Sequence, residues 1–196
     1  MNELKKFWPF EDSFYKTKVY ISEEEKKQIK LFLENFKNSR DPEQTTTFKQ
    51  INILNLPMLK DLKKQITDIL DSLDLLLAAN WAQQYKKGNE HSLHSHLDSV
   101  YSGVLYVDQS RETQGTVFVH PKGEVVKLST NRFRYLFKPN FEPSVLILFP
   151  SHITHFVKHE KEDNGRIVIS FNTRESAKSI YNTSNNIITK GEEKHG

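Results

Sequence analysis

The 196-residue chain contains no cysteine. Disulfides, thiolate nucleophiles and cysteine-held zinc or iron–sulfur centres are therefore excluded, and any metal must be held by His, Asp or Glu. Long apolar runs are also missing. No window approaches the roughly eighteen apolar residues that a membrane-spanning helix needs. The opening "MNELKKFWPFEDSFYK" carries charge but no apolar stretch of signal-peptide length. Neither sign of charge dominates: 28 basic residues face 25 acidic ones, for a net charge of +3, and the basic residues are spread along the chain. That pattern gives no footprint for nucleic acid or a membrane surface. No linker composition, internal repeat or low-complexity segment stands out. The expectation is one cytoplasmic domain, residues 1–196, large enough to bury one sizeable core.

Composition along the chain divides it into three parts. Residues 14–21, "FYKTKVYI", have the β-branched and aromatic content of a strand, and Ser22 with Glu25 then forms the S-x-x-E pattern of a helix start. Ile29, Phe32, Leu33 and Phe36 recur at helical spacing, and after Pro57 a second amphipathic helix is marked by Leu59, Leu62, Ile66, Ile69, Leu70 and Leu73. Both read as packing elements. From residue 79 the texture changes to short strand-like runs separated by Gly, Pro, Asn and Asp, among them "SVYSGVLYVD", "GTVFVHP", "VVKLST", "SVLILFP" and "RIVISFN". Such spacing predicts a β-sandwich or barrel. Residues 1–78 are thus expected to be helical support with an early strand, residues 79–175 a β core, and residues 176–196 a polar tail.

The stretch "EHSLHSHLDSVYSGVLYV" carries three histidines and an aspartate ahead of an apolar run. On an extended strand, residues two apart point to the same side, so His94 and His96 would project together, joined by Asp98 if the strand continued. Two such ligands plus a third from a distant strand make a face that leaves metal positions open. "SVLILFPSHITHFVKHE" offers His152, His155 and His159 as the third. Downstream, Arg166 begins an alternation in which Arg166, Val168, Ser170 and Asn172 share one face and Ile167, Ile169 and Phe171 the other. A guanidinium on an inward face needs an anion, because an unpaired buried charge costs several kcal/mol. The carboxylate of a cosubstrate would supply it. No Ser/His/Asp or Cys/His arrangement for nucleophilic catalysis is evident.

The order Trp81, Gly88, His94-Ser95-His96, "SGVLYV", "GTVFVHP", "FPSHITH", "RIVISFN" resembles the Fe(II)/2-oxoglutarate-dependent oxygenases, and most closely a small bacterial and phage group of them. The likeness covers roughly residues 81–172. It implies an α+β, mainly β fold, a double-stranded β-helix (jelly roll) with supporting N-terminal helices. It also implies a dioxygenase using Fe(II), 2-oxoglutarate and O2, releasing succinate and CO2 and hydroxylating a C–H bond of its substrate. By position, His94, His96 and His155 would hold iron, Arg166 and Tyr106 the distal carboxylate of 2-oxoglutarate, and Ser102 shares the face of Tyr106. The wider superfamily's H-x-D motif is met literally by His96-Leu97-Asp98, which makes Asp98 the alternative carboxylate ligand. Two departures stand out: His152 replaces the usual Trp of "FPSW", and Val168 replaces a Ser two residues after the arginine.

Two other readings keep the barrel: a cupin-like three-histidine dioxygenase or isomerase without 2-oxoglutarate, and a jelly roll that only binds. The substrate, a small molecule or peptide, is not written in the motifs. The loops around "VDQSRETQG" and "STNRFRYLFKPNFEP" are its expected contacts, with Arg132, Phe133, Arg134 and Tyr135 alternating charge and aromatic rings. His91, His120, His159 and His195 read as solvated or turn residues.

Overall fold

The computed structural model describes residues 3–36, 45–109, 115–121, 136–161 and 166–177. The strand expected at 125–130, the run Arg132 to Tyr135, His195 and the polar tail from residue 178 lie outside the described residues. Two short strands, β1 (Lys5–Phe7) and β2 (Phe14–Lys18), precede helix α1 (Glu23–Asn35). Ser22 and Glu25 form the expected capping box: the Ser22 hydroxyl accepts from the Glu25 amide at 3.2 Å, and the Glu25 carboxylate accepts from the Ser22 amide at 2.8 Å. After β3 (Thr45–Thr46) and two 3-10 turns, helix α2 runs over Lys60–Asp71. Strands β4 (Leu75–Tyr85), β5 (His91–His94), β6 (Tyr101–Gln109), β7 (Thr116–Val119), β8 (Leu136–Phe137), β9 (Val145–Pro150), β10 (His155–Val157) and β11 (Arg166–Glu175) follow. Among the described residues, no helix is long and apolar enough to cross a membrane.

The strands form two antiparallel sheets, a seven-stranded one in the order β1-β2-β9-β6-β11-β4-β3 and a four-stranded one in the order β5-β10-β7-β8. From β4 onward the chain passes back and forth between them. Period-2 alternation gives the large sheet two different faces. Ala82, Leu105, Leu146, Leu148, Ile167 and Ile169 face the helices, where they pack with Ile29, Leu33, Leu62, Ile66 and Leu70. Val104, Tyr106, Ile147, Phe149 and Val168 face the small sheet, where they pack with Phe118 and Val157. Strand β9 is apolar on both faces because both are covered, and all six of its residues are buried.

One boundary differs from the sequence expectation. Strand β4 begins at Leu75, not at residue 79, because α2 ends in a turn where Asp74 takes φ 55°. The following Leu75, Leu76 and Leu77 then pair with Glu175, Arg174 and Thr173 at the end of β11. The apolar run "LLLAA" carries no period that separates helix from strand, and its partner strand decides the matter.

Gly103, on β6, is paired with Phe171 on one side and Leu148 on the other. A β-carbon there would overlap the fully buried Phe171 ring. Gly103→Ala is expected to destabilise the protein by about 1 to 3 kcal/mol through overpacking, seen as a lowered melting temperature.

Candidate functional site

The inner face of the large sheet is polar at one place. Strands β4 and β11 pair with Tyr85 opposite Arg166, Gln83 opposite Val168 and Trp81 opposite Ser170. These side chains line a cavity whose other wall includes His91, His94, His96 and His155. The alternation Trp81, Gln83, Tyr85 was present in "NWAQQYKKG", and a period-2 reading of that strand would have found all three.

The three histidines reach the cavity by three different routes. His94 ends β5 and His155 begins β10, and the two are direct partners across the ladder. His96 lies beyond the strand in a turn, held by its backbone amide, which donates to the Ser151 carbonyl at 2.9 Å. The expectation of His94 and His96 projecting from one continuous strand is thus corrected: the strand stops, and a turn brings His96 back. The same turn carries Asp98 outward, where it is exposed. One ligand-capable nitrogen from each of His94, His96 and His155 lies within 4.8 Å of the others. His155 is 6% exposed, whereas the side chain of His152 is 56% exposed and lies 3.3 Å from the Asp12 carboxylate.

Hydrogen bonding and burial favour neutral rings. The Nδ1 of His94 lies 2.7 Å from the Ser92 carbonyl, and the Nδ1 of His155 lies 3.0 Å from the Ile153 carbonyl. A carbonyl only accepts, so each Nδ1 carries the proton and each Nε2 keeps its lone pair. Burial lowers the pKa of His94 against the Ser92 carbonyl, which raises it, and burial helped by repulsion from neighbouring rings takes that of His96 to about 4 and that of His155 to about 3. Three unprotonated imidazoles at neutral pH are a donor set for a divalent transition metal.

Arg166 is at the first residue of β11, 2% exposed. Its Nε and Nη1 have no hydrogen-bond partner. Among the described residues no carboxylate pairs with it; its close neighbour is the Tyr85 ring, whose centre lies 4.3 Å from the guanidinium carbon. Buried Tyr106 lies two pairs along the β6–β11 ladder, opposite Val168, and donates its hydroxyl hydrogen to Thr116 Oγ1 at 3.1 Å. Burial raises the Tyr106 pKa, opposed by the Arg166 charge, so the phenol keeps its proton. Ser102 faces the same cavity but pairs with Asn172, six residues along β11 from Arg166, a separation on the order of 20 Å. Its hydroxyl is engaged with Ser151 at 2.8 Å and Asn172 at 3.1 Å. Arg166 and Ser102 therefore lie at opposite ends of the site.

His91 is a correction. Instead of a solvated residue it is a wall of the cavity, its ring stacked 4.1 Å from that of His94 and its Nδ1 3.2 Å from the Tyr85 hydroxyl. Burial and the adjacent rings lower its pKa to about 4. His120 packs edge-on against Phe10, and exposed His159 lies 3.1 Å from the Glu90 carboxylate.

The depressed histidines make the metal-free protein acid-sensitive. Unfolded, each takes up a proton near pH 6.5; folded, His91 and His96 wait until about pH 4 and His155 until about 3. Below about pH 6.5 the unfolded state binds more protons, so stability falls with pH until the folded values are passed. The melting temperature in the presence of a chelator is expected to drop already between about pH 6.5 and 5, above the carboxylate range. A flat profile in that window would contradict the burial of these rings.

Residues 79–172 match the model of a family described as "Putative 2OG-Fe(II) oxygenase". No curated protein sequence matches the chain. Among solved structures, HygX from Streptomyces hygroscopicus with nickel, 2-oxoglutarate and hygromycin B bound is similar, with TM-score 0.60 and 13% identity over 84% of this chain and 83% of that one. SnoN, a non-heme alpha-ketoglutarate-dependent epimerase from nogalamycin biosynthesis, gives TM-score 0.59 and 11% identity over 84% and 79%. AviO1 from Streptomyces viridochromogenes gives 0.56 and 10% over 85% and 91%. At such identities the likeness is one of fold. The family match spans the segment that carries all three clustered histidines and Arg166, and over that segment the chain is similar to the 2OG-Fe(II) oxygenases.

Proposed function

We propose that the protein is an Fe(II)- and 2-oxoglutarate-dependent dioxygenase built on a double-stranded β-helix, hydroxylating a C–H bond of a substrate still to be identified. The observation that carries this reading is the buried Arg166, with two unpartnered guanidinium nitrogens, in the same cavity as three neutral histidines. A single-domain jelly roll is favoured by the back-and-forth passage of β4 to β11 between two antiparallel sheets and by the similar structures of HygX and SnoN.

In this reading His94, His96 and His155 hold the metal through unprotonated ring nitrogens, with their carbonyl partners fixing the rings of His94 and His155. Arg166 offers a planar fork to the distal carboxylate, a geometry that carboxylates accept bidentately. Tyr106 adds an O–H beside it by turning from Thr116. With O2 as the oxidant, bound iron and 2-oxoglutarate would supply oxidative decarboxylation to succinate and CO2, one oxygen atom entering succinate and the other going to the substrate. The apolar walls, Val104, Phe149, Val157 and Val168, keep water away from that chemistry. Ser102, bonded to Ser151 and Asn172, shapes the far end of the cavity and is not assigned to the cosubstrate.

The three-histidine set alone would equally suit a cupin-like enzyme that uses no 2-oxoglutarate, so Arg166 decides between the two. Arg166→Ala is expected to weaken 2-oxoglutarate binding by roughly thirtyfold or more, because a desolvated carboxylate loses its charge-assisted fork at a cost of about 2 to 5 kcal/mol. Arg166→Lys should lose less, since a point charge survives. Titration calorimetry with cobalt(II) in place of iron checks both, and an unchanged affinity in Arg166→Ala would move the assignment to the cupin-like class. Metal binding itself separates the two nearby histidines: His155→Ala should lose it, while His152→Ala should keep it. The similar structures include an epimerase, so product analysis by mass spectrometry, with an added oxygen atom expected, tests hydroxylation as the outcome.

A further inference from the structure

Between Arg166 and the histidines lie two side chains that neither group includes. Tyr85 is the last residue of β4, 3% exposed and directly opposite Arg166 in the ladder. Its ring face carries the guanidinium at 4.3 Å, and its hydroxyl lies 3.2 Å from Nδ1 of His91. The His91 ring in turn lies 4.1 Å from the His94 ring, 17° from parallel. An unbroken series of contacts therefore runs from the presumed anion end of the cavity to the clustered histidines.

Each contact leaves free the atoms that the neighbouring site needs. The guanidinium carbon lies over the Tyr85 ring and the Tyr85 hydroxyl also interacts with the guanidinium, yet a guanidinium has several N–H donors and can still offer a carboxylate those left over. That agrees with the missing partners at Nε and Nη1. A phenol O–H can donate to Nδ1 of His91, which orients that ring by an edge interaction and leaves its face to stack. Stacking restricts rotation of His94, whose Nδ1 is already fixed by the Ser92 carbonyl.

We propose that Tyr85 and His91 are positioning residues: the Tyr85 ring holds the Arg166 fork, and the hydroxyl-anchored His91 ring holds His94. The inference rests on the roles given to Arg166 and His94 above and adds to them. It makes Tyr85 the hinge between two binding functions, with its ring serving the anion and its hydroxyl serving the metal. The two can therefore be separated by substitution.

The test uses the full chain with cobalt(II) as the metal probe, measured by equilibrium dialysis without cosubstrate, and 2-oxoglutarate titrated calorimetrically at saturating cobalt(II). Tyr85→Met, of similar bulk but without a ring, should raise the 2-oxoglutarate Kd by about fivefold to thirtyfold, and Tyr85→Phe should restore it to within about threefold, because the face interaction returns. For cobalt(II) the pattern reverses: Tyr85→Phe should lose affinity because the hydroxyl is gone. His91→Ala should lose roughly tenfold or more and His91→Phe, which keeps a stacking face, less. Melting temperatures show whether each variant is folded; a merely structural role would lower them without splitting the two affinities. Unchanged 2-oxoglutarate affinity in Tyr85→Met, or unchanged cobalt(II) affinity in His91→Ala, overturns the corresponding half. Should Tyr85→Met fail to fold, equal cobalt(II) affinity in Tyr85→Phe and the unaltered protein still overturns the hydroxyl's role. If Arg166→Ala leaves 2-oxoglutarate binding intact, the cosubstrate assignment itself falls and takes the ring's role with it, while the cobalt(II) arm decides His91 independently.

Discussion

A buried charge with no carboxylate partner among the described residues constrains the rest of the molecule. Arg166 stands on β11, which is hydrogen-bonded on both sides, to β4 and to β6. A strand held from two sides cannot slip by one residue without sending Ile167 and Ile169 into the cavity and Arg166 against the helices. The apolar face of the same strand thus fixes where the charge points. The Tyr85 ring returns about 0.5 to 2 kcal/mol by a cation–π contact, less than the several kcal/mol that an unpaired buried charge costs. The deficit is carried by the two apolar cores.

The histidine end obeys a different constraint. Three imidazoles whose nitrogens lie within 4.8 Å of one another disfavour a common protonated state, and burial lowers all three pKa values, with ring repulsion adding to it at His96 and His155. Carbonyls of Ser92 and Ile153 choose the tautomer at His94 and His155 without any added side chain. Both carbonyls belong to residues two positions earlier, so the local backbone that delivers each ring also sets its proton.

Cavity shape follows from the pairing of strands. Tyr85, Arg166, Tyr106 and Thr116 close one end with polar groups in an apolar surround. Trp81, His96 and Ser102 lie towards the other, with Phe48 packed edge-on against Trp81 at 4.8 Å and 40% exposed. The polar end suits a small anion, and the aromatic end is where a larger molecule would approach.

Much of this was legible in one dimension. The capping box at Ser22, the two amphipathic helices and the alternation from Arg166 to Asn172 depend on local spacing, and local spacing is what a sequence records. The order of motifs from Trp81 to Asn172 carried the resemblance, and the matched segment, residues 79–172, coincides with it. Other features depended on contacts between segments far apart in the chain. The start of β4 at Leu75 was set by its partner at the end of β11, since an apolar run without a period is compatible with either structure. His96 was delivered by a turn bonded to Ser151 rather than by a strand, and the same turn leaves Asp98 exposed. Ser102 and Arg166 looked like neighbours in function until the register placed them at opposite ends of one strand pair. His91 and Tyr85 are unremarkable letters in the sequence. Cross-strand geometry alone made them neighbours of His94 and Arg166, because a ladder brings together residues that the chain separates by tens of positions. The sequence by itself determined which residue types and periods were available; the tertiary structure decided which of them meet, since meeting is a property of register and of turns.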